Sequence, residues 1–161
     1  MPAIVIRPAT PADRASLDEQ ARLLNQFEDA FSHDRRIDHA GGVASIDQLY
    51  QQVAKAGGAI CVAELDGAVV GHMVLWFDRM PPFVREELRD IAYIGDLFVR
   101  AAHRGQGIGA ALIAEAERIA AARGMPRILL GVLTGNPAEA VYRKLGYRPY
   151  ALEMAKDLPK G

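Results

Sequence analysis

The sequence predicts an α/β protein (α+β), and three observations carry that prediction. Apolar runs of strand length recur at 59–64, 69–77, 91–99 and 128–133. Segments with apolar residues at helical spacing lie around them. From residue 91 onward the order is strand, glycine turn, helix, strand, which makes one right-handed βαβ unit. With 161 residues, 50% of them hydrophobic and 24% charged, the chain can bury one core and is too short for two ordinary domains, so residues 1–161 read as one domain.

The first strand is Ile4-Val5-Ile6. Thr10-Pro11-Ala12-Asp13 then starts a helix with proline in its first turn, and Leu17, Ala21, Leu24 and Phe27 continue it. Residues 32–42 are rich in His, Asp, Arg and Gly and read as a loop, after which Ser45 to Ala56 forms a second helix. The runs 59–64 and 69–77 flank Leu65-Asp66-Gly67-Ala68, and Asp-Gly between apolar stretches marks an antiparallel hairpin. Residues 78–90 carry two prolines and many charges and form a connection. Ile108, Leu112, Ala116 and Ile119 repeat at helical spacing up to the stop Gly124-Met125-Pro126, and Ile128 to Leu133 is the parallel strand. Asn136-Pro137 opens another helix that ends at Leu145-Gly146, and Tyr147 to Met154 is expected to supply a final strand pair.

Charge and composition exclude several functions. A net charge of −1 and a pI near 6.4 leave no clustered basic excess for nucleic acid. Met1 to Arg7 lacks the pattern of a secretory leader, and no apolar run approaches the roughly 18 residues of a membrane span. The expected setting is cytoplasmic, without a membrane partner. Cys61, the only cysteine, sits in an apolar run and reads as a buried structural thiol. His33, His39, His72 and His103 lack metal-ligand spacing, so no metal is expected.

The most informative segment runs from Asp96 through Leu97-Phe98-Val99 to Arg104-Gly105-Gln106-Gly107-Ile108-Gly109, a strand passing through a glycine turn into a helix. The free N–H groups and dipole of a helix start hold anions, and glycines let a phosphate approach the backbone. A Walker loop requires Lys and Ser or Thr after its glycines, but Ala110-Ala111 follow here. Residues 105–110 satisfy the loose dinucleotide pattern G-x-G-x-x-A. That pattern calls for an acidic residue about 20 positions on, where Val132-Leu133-Thr134 has no carboxylate.

Arg104-x-x-Gly107-x-Gly109 resembles the Q/R-x-x-G-x-G/A motif of the GNAT (GCN5-related) N-acetyltransferases. Asn136-Pro137-Ala138-Glu139-Ala140-Val141-Tyr142-Arg143-Lys144-Leu145-Gly146-Tyr147 resembles their second signature, a helix with a tyrosine shortly before Gly-Phe or Gly-Tyr. The asparagine of that signature would align with Gly135, leaving Asn136 one position late. The order of elements matches the family along nearly the whole chain. The resemblance implies a mixed central sheet with splayed strands flanked by helices, and acetyl-CoA as cosubstrate.

It also implies site residues. Backbone N–H groups of Arg104, Gly105, Gln106, Gly107, Ile108 and Gly109 would hold the pyrophosphate. Main-chain groups of Leu97, Phe98 and Val99 would meet the pantetheine and acetyl group, and an N–H of Leu97 or Phe98 would stabilise the developing oxyanion. Tyr142 would give a proton to the departing thiolate, and Asn136 belongs to the same cofactor set. The attacking amine, with an unperturbed pKa of about 10.4, must lose a proton. Asp96 resembles an acidic residue of polyamine and diamine acetyltransferases and is the expected acceptor of that proton, with Glu64 and Asp78 as alternatives.

The acids Glu28, Asp29, Asp34, Glu86, Glu87 and Asp90 read mostly as solvated surface, with the lining of a cation-favouring acceptor pocket as the alternative. His103 is expected near the phosphates, and Trp76, Phe77, Met80 and Phe83 in an apolar wall or the core. The implied acceptor is the amine of a small molecule. The alternatives are a protein N-terminus or lysine, and a domain that binds acyl-CoA without turning it over. A family habit of dimerising through the last strand favours a homodimer.

Overall fold

The computed structural model describes residues 3–161, so Met1 and Pro2 of the stretch read above for a leader lie outside the described residues. The chain begins with strand β1 (Val5–Pro8) and a short 3-10 turn, Pro11–Asp13, that leads into helix α1 (Arg14–Ser32). Asp13 fixes this entry. Its carboxylate accepts the Thr10 N–H at 2.7 Å and two bonds from Arg7 at 2.8 and 3.0 Å, and the Arg7 contact holds its pKa down at about 2. Helix α2 (His39–Ala56) precedes a hairpin of β2 (Gly58–Leu65) and β3 (Ala68–Arg79). The two residues between those strands, Asp66 and Gly67, have φ of 50° and 78°, the positive pair that a tight hairpin turn requires. Strand β4 (Asp90–Val99), helix α3 (Ile108–Ala122), strand β5 (Arg127–Leu130) and helix α4 (Ala138–Lys144) complete the regular structure.

The sheet order is β1-β2-β3-β4-β5, antiparallel except for the parallel pair β4 and β5. Helices cover both faces, and the alternation along each strand sorts the core accordingly. Cys61, Ala63, Met73 and Leu75 pack toward Ile108, Leu112 and Ala116 of α3. Ile60, Val62 and Val74 pack toward Leu17, Ala21 and Ile46 of α1 and α2. Burial raises the Cys61 thiol to about 11, in keeping with a structural role.

Three sequence expectations are corrected. Helix α2 starts at His39, inside the expected 32–42 loop, because Asp38 accepts the Gly41 N–H at 3.0 Å and caps it. The following glycines are packing residues: a Cβ on Gly42 would lie 2.4 Å from the Asp18 carbonyl of α1. Strand β5 stops at Leu130 rather than Leu133, because its partner β4 diverges after Ile94. Residues 147–154 form no strand; Leu152 and Met154 are 76% and 85% exposed. Their alternating apolar residues would need a long strand edge to cover them, and β5 offers four residues.

Candidate active site

The site begins with an irregularity in β4. Asp96 pairs with Val74 and Ile94 with Leu75, so Gly95 is an extra residue opposite none, a β-bulge. Gly95 also lies under the Trp76 ring, where a Cβ would meet Cζ3 at 1.9 Å. Trp76 stacks on Tyr93 with ring centroids 5.2 Å apart. Pairing with β5 ends at Ile94, one residue before the bulge, so β4 from Gly95 to Val99 has no strand on that side. The two strands splay as expected and open a cleft of about 470 Å³.

Leu97, Phe98 and Val99 line this cleft on one side and Leu130, Gly131 and Val132 on the other. Its end is closed by the turn before α3. There Gly105 and Gly107 have φ of 76° and 82°, a left-handed backbone that glycine adopts without strain. The first helical bond runs from Ala111 N–H to the Gly107 carbonyl at 3.0 Å. Among the described residues, no protein acceptor takes the N–H groups from Gly105 to Ala110. They form an anion cradle at the positive end of a 15-residue helix.

Arg104 departs from its expected part. Its N–H is engaged by the Ala101 carbonyl at 3.3 Å, and its guanidinium folds back on the Val99 carbonyl at 2.9 Å, over the rings of Phe27 and Phe98. The Gln106 side chain is exposed and off the cleft wall, so this residue contributes its backbone alone. His103 lies on the wall beside the turn. Asn136 is buried on the wall and accepts the Ala138 N–H at 2.9 Å, which caps the start of α4.

Tyr142 of α4 reaches the same cleft as Asp96. Burial, with the nearby carboxylates of Glu28 and Asp96, pushes its phenol up to about 12. It therefore holds its proton through the physiological range.

Asp96 also borders a second hollow, of about 400 Å³, on the α2 side of the sheet. Ser45, Gln48, Leu49 and Gln52 of α2, Trp76 and Asp78 of β3, and Gly95 line it. No lysine or arginine is among them. Of the proposed apolar wall, Trp76 alone takes part. Phe77 points to the other face, over Arg123, and Phe83 is 84% exposed.

Most of the acids weighed for the acceptor pocket are surface residues engaged by arginines. Arg35 pairs with Glu28 at 3.1 Å and Asp34 at 2.6 Å, and its N–H bonds Asp29. Arg79 pairs with Glu86 and with Asp90, and Arg89 with Glu86 at 2.9 Å. Of these, only Glu28 lines the cleft, and none lines the hollow. Glu64 is bound by Arg7 at 2.8 Å and lines neither the cleft nor the hollow.

Two residues to which the sequence assigned no part complete the site. His72, fully buried, places Nε2 2.9 Å from Asp96 Oδ2 and Nδ1 2.8 Å from Gln20 Oε1. The available signal was a lone imidazole in an apolar strand, two and four residues before Val74 and Trp76 and therefore on their face.

The sequence matches the acetyltransferase (GNAT) family over residues 21–147. Glucosamine 6-phosphate N-acetyltransferase of Trypanosoma brucei brucei is 32% identical over 92 residues, a match that spans 57% of this chain and 59% of that relative. A GCN5-related N-acetyltransferase from Ralstonia eutropha superposes with a TM-score of 0.74 at 24% identity, over 97% of this chain and 99% of the other. An aminoglycoside N-acetyltransferase solved with CoA superposes with a TM-score of 0.70 at 14% identity, over 98% and 96%. No helix among the described residues is long and apolar enough to cross a membrane. With its motifs, its splayed sheet and a family match across most of its length, the chain belongs to the GNAT family of acetyltransferases.

Proposed function

We propose that the protein transfers the acetyl group of acetyl-CoA to the primary amine of a small, hydroxylated, unphosphorylated molecule. The observation that carries this reading is the place of Asp96, at the meeting of the backbone-lined cleft and the side-chain-lined hollow. The cleft suits the cosubstrate: its free N–H groups match a pyrophosphate, and the open edge of β4 offers main-chain groups to an extended amide arm. When bound, acetyl-CoA supplies an activated acyl group on a thiol leaving group.

The chain's own residues then divide the work. An N–H on the open β4 edge, at Leu97 or Phe98, faces the cleft and stabilises negative charge on an acyl oxygen. Tyr142 holds a proton for the leaving thiolate, and its raised pKa keeps that proton available. Asp96 takes the amine's proton. The hollow holds the rest of the acceptor through the amides of Gln48 and Gln52, groups suited to hydroxyls, while the Ser45 hydroxyl beside them donates to the Gly41 carbonyl at 2.9 Å.

The relative's acceptor is a sugar amine with a phosphate. A phosphate in this hollow would face Asp78 with no lysine or arginine among the lining residues, so its unphosphorylated counterparts fit better. Thermal unfolding with acetyl-CoA at a hundred times its Kd should show about 2.7 kcal/mol of stabilisation. Thiol release with amino sugars and amino alcohols, each with and without phosphate, should then favour the unphosphorylated compounds. Preference for the phosphorylated ones would sink the substrate reading, and no unfolding shift near saturation would sink the cofactor.

A further inference from the structure

We infer that His72 is a positioning residue for acetyl transfer: Gln20 fixes its tautomer, a single proton is shared between Nε2 and Asp96 Oδ2, and Asp96 Oδ1 is left as the free acceptor where the two hollows meet.

The chain of bonds begins at Val69. The Val69 carbonyl accepts the Gln20 amide nitrogen at 3.1 Å and Arg100 Nε at 3.3 Å. Turning the Gln20 amide over would set its oxygen against that carbonyl oxygen, two acceptors with no proton between them. The nitrogen is therefore committed to Val69, and the oxygen is what meets His72 Nδ1 at 2.8 Å. An amide oxygen carries no proton, so Nδ1 must.

The other ring nitrogen then decides the state of Asp96. Nε2 and Oδ2 lie 2.9 Å apart, and two lone pairs facing each other at that distance beside a fully buried ring would repel. One proton lies between them, either as imidazolium and carboxylate or as imidazole and carboxylic acid, and the pair is net neutral in both forms. His72 is fully buried and packs beside the Phe98 ring, 6.0 Å between centroids, so the imidazole has no room to leave this alignment. Oδ1 of Asp96 bonds to no protein group among the described residues and is the oxygen available to an amine.

The charged and titratable groups around this chain come from every neighbouring element. Glu28 of α1, His103 and Arg104 of the turn and Tyr142 of α4 share the cleft with Asp96. Asp78 of β3 shares the hollow, and Arg100 shares the Val69 carbonyl.

The inference rests on the N-acetyltransferase reading, in which the N–C bond forms and the C–S bond breaks. With the shared proton on His72 Nε2, the amine's proton passes to Asp96 Oδ1 and on to water, while Tyr142 protonates the thiolate and is restored from water. The proton between His72 and Asp96 stays in place and keeps Oδ1 aimed.

Long-range proton–nitrogen NMR of the full-length protein without ligand tests the tautomer. His72 Nδ1 should carry its proton from pH 6 to pH 8. A pyridine-like, unprotonated Nδ1 would overturn the inference. In turnover, His72→Gln should lower kcat about ten- to a hundredfold, as a small misplacement of a catalytic group does, with the KM for acetyl-CoA unchanged. It should also move the limb of the pH profile that reports the pair, whereas a merely structural loss lowers the curve without moving it. Gln20→Met keeps the imidazole and tests the same point if His72→Gln does not fold. Wild-type kcat and pH profile in a folded variant would overturn the positioning role. Absence of turnover with any amine would overturn that role together with the reading beneath it, and the NMR result would still stand alone.

Discussion

The cleft between β4 and β5 and the hollow beneath α2 meet at Asp96, yet they are made of different material. The polar groups the cleft offers an anion and an amide arm are backbone: an unpaired strand edge, a glycine turn and the first N–H groups of α3, all supplied within residues 95–110. The hollow is built from side chains of α2, β3 and β4, brought together from residues 45 to 96. A backbone site depends on φ and on free N–H groups and tolerates most side-chain changes. A side-chain site is respecified by one substitution. This division suits a protein that binds a constant cosubstrate on one side and a particular acceptor on the other.

The largest expected effect tests whether the cleft does chemistry as well as binding. Tyr142→Phe should lower kcat about a hundred- to ten-thousandfold while the Kd for acetyl-CoA stays nearly constant, measured by steady-state kinetics and calorimetry. Unchanged kcat would reduce Tyr142 to a wall residue. The same variant has a signature in alkali. A phenol at about 12 in the folded state and 10.0 when unfolded keeps its proton longer when folded, so its contribution to stability is present below pH 10 and lost as pH rises toward 12. The unfolded chain releases its proton first in that window. Tyr142→Phe should therefore lose less stability than the wild type between pH 10 and pH 12 in denaturant titrations.

The next effect separates backbone from side chain within the turn. Gly107→Val forces a branched residue to φ 82° and disturbs the N–H groups of α3, so the Kd for acetyl-CoA should rise about ten- to a hundredfold, the cost of losing one or two bonds to a charged group. Gln106→Ala removes an exposed side chain and should leave that Kd unchanged. Equal effects from the two would break the idea that the backbone is the ligand.

The same contrast explains what could be read in the sequence. The glycine turn, the open β4 strand and Tyr142 lie in contiguous motifs, so one segment reveals both position and chemistry. The Asp66-Gly67 turn was legible for the same reason, since two adjacent residues set it. The hollow was not legible, because Ser45, Trp76 and Asp96 come from three elements whose contact depends on register and on the bulge at Gly95. His72 was seen as an isolated imidazole, and its meaning depends on Gln20, 52 residues away. The acidic residues weighed for a pocket turn out mostly to be surface partners of arginines, which a composition does not reveal. Arg35 and Arg79 bind carboxylates that looked free. The final strand failed because an alternating apolar pattern reports only a face, and the partner edge must exist elsewhere.

A smaller effect probes the hinge between the two regions. In Gly95→Ala the new methyl would overlap the Trp76 ring, so either the bulge or the ring must move. Stability should fall by about 1–3 kcal/mol, the usual cost of overpacking, in urea unfolding. The KM for the amine should rise, because Trp76 floors the hollow, and an unaltered KM would mean that Trp76 does not touch the acceptor.

The smallest effect is the most specific to the hollow. Gln48 is an exposed residue of α2, so truncating it to alanine removes no core packing and should change stability by less than about 0.5 kcal/mol. Its amide nevertheless lines the hollow opposite Asp96, where it can bond an acceptor hydroxyl. Losing one neutral hydrogen bond is worth about 0.5–1.5 kcal/mol, so Gln48→Ala should raise the amine KM about two- to tenfold. The KM for acetyl-CoA should not move, because Gln48 is absent from the cleft wall. Gln48→Arg sharpens the comparison further. It brings a cation to a hollow that lacks one, and a phosphorylated amine should then gain relative to its unphosphorylated counterpart. If the variant leaves that ratio untouched, the acceptor does not lie beneath α2, and the side-chain site must be sought on the cleft side of Asp96, beside Glu28.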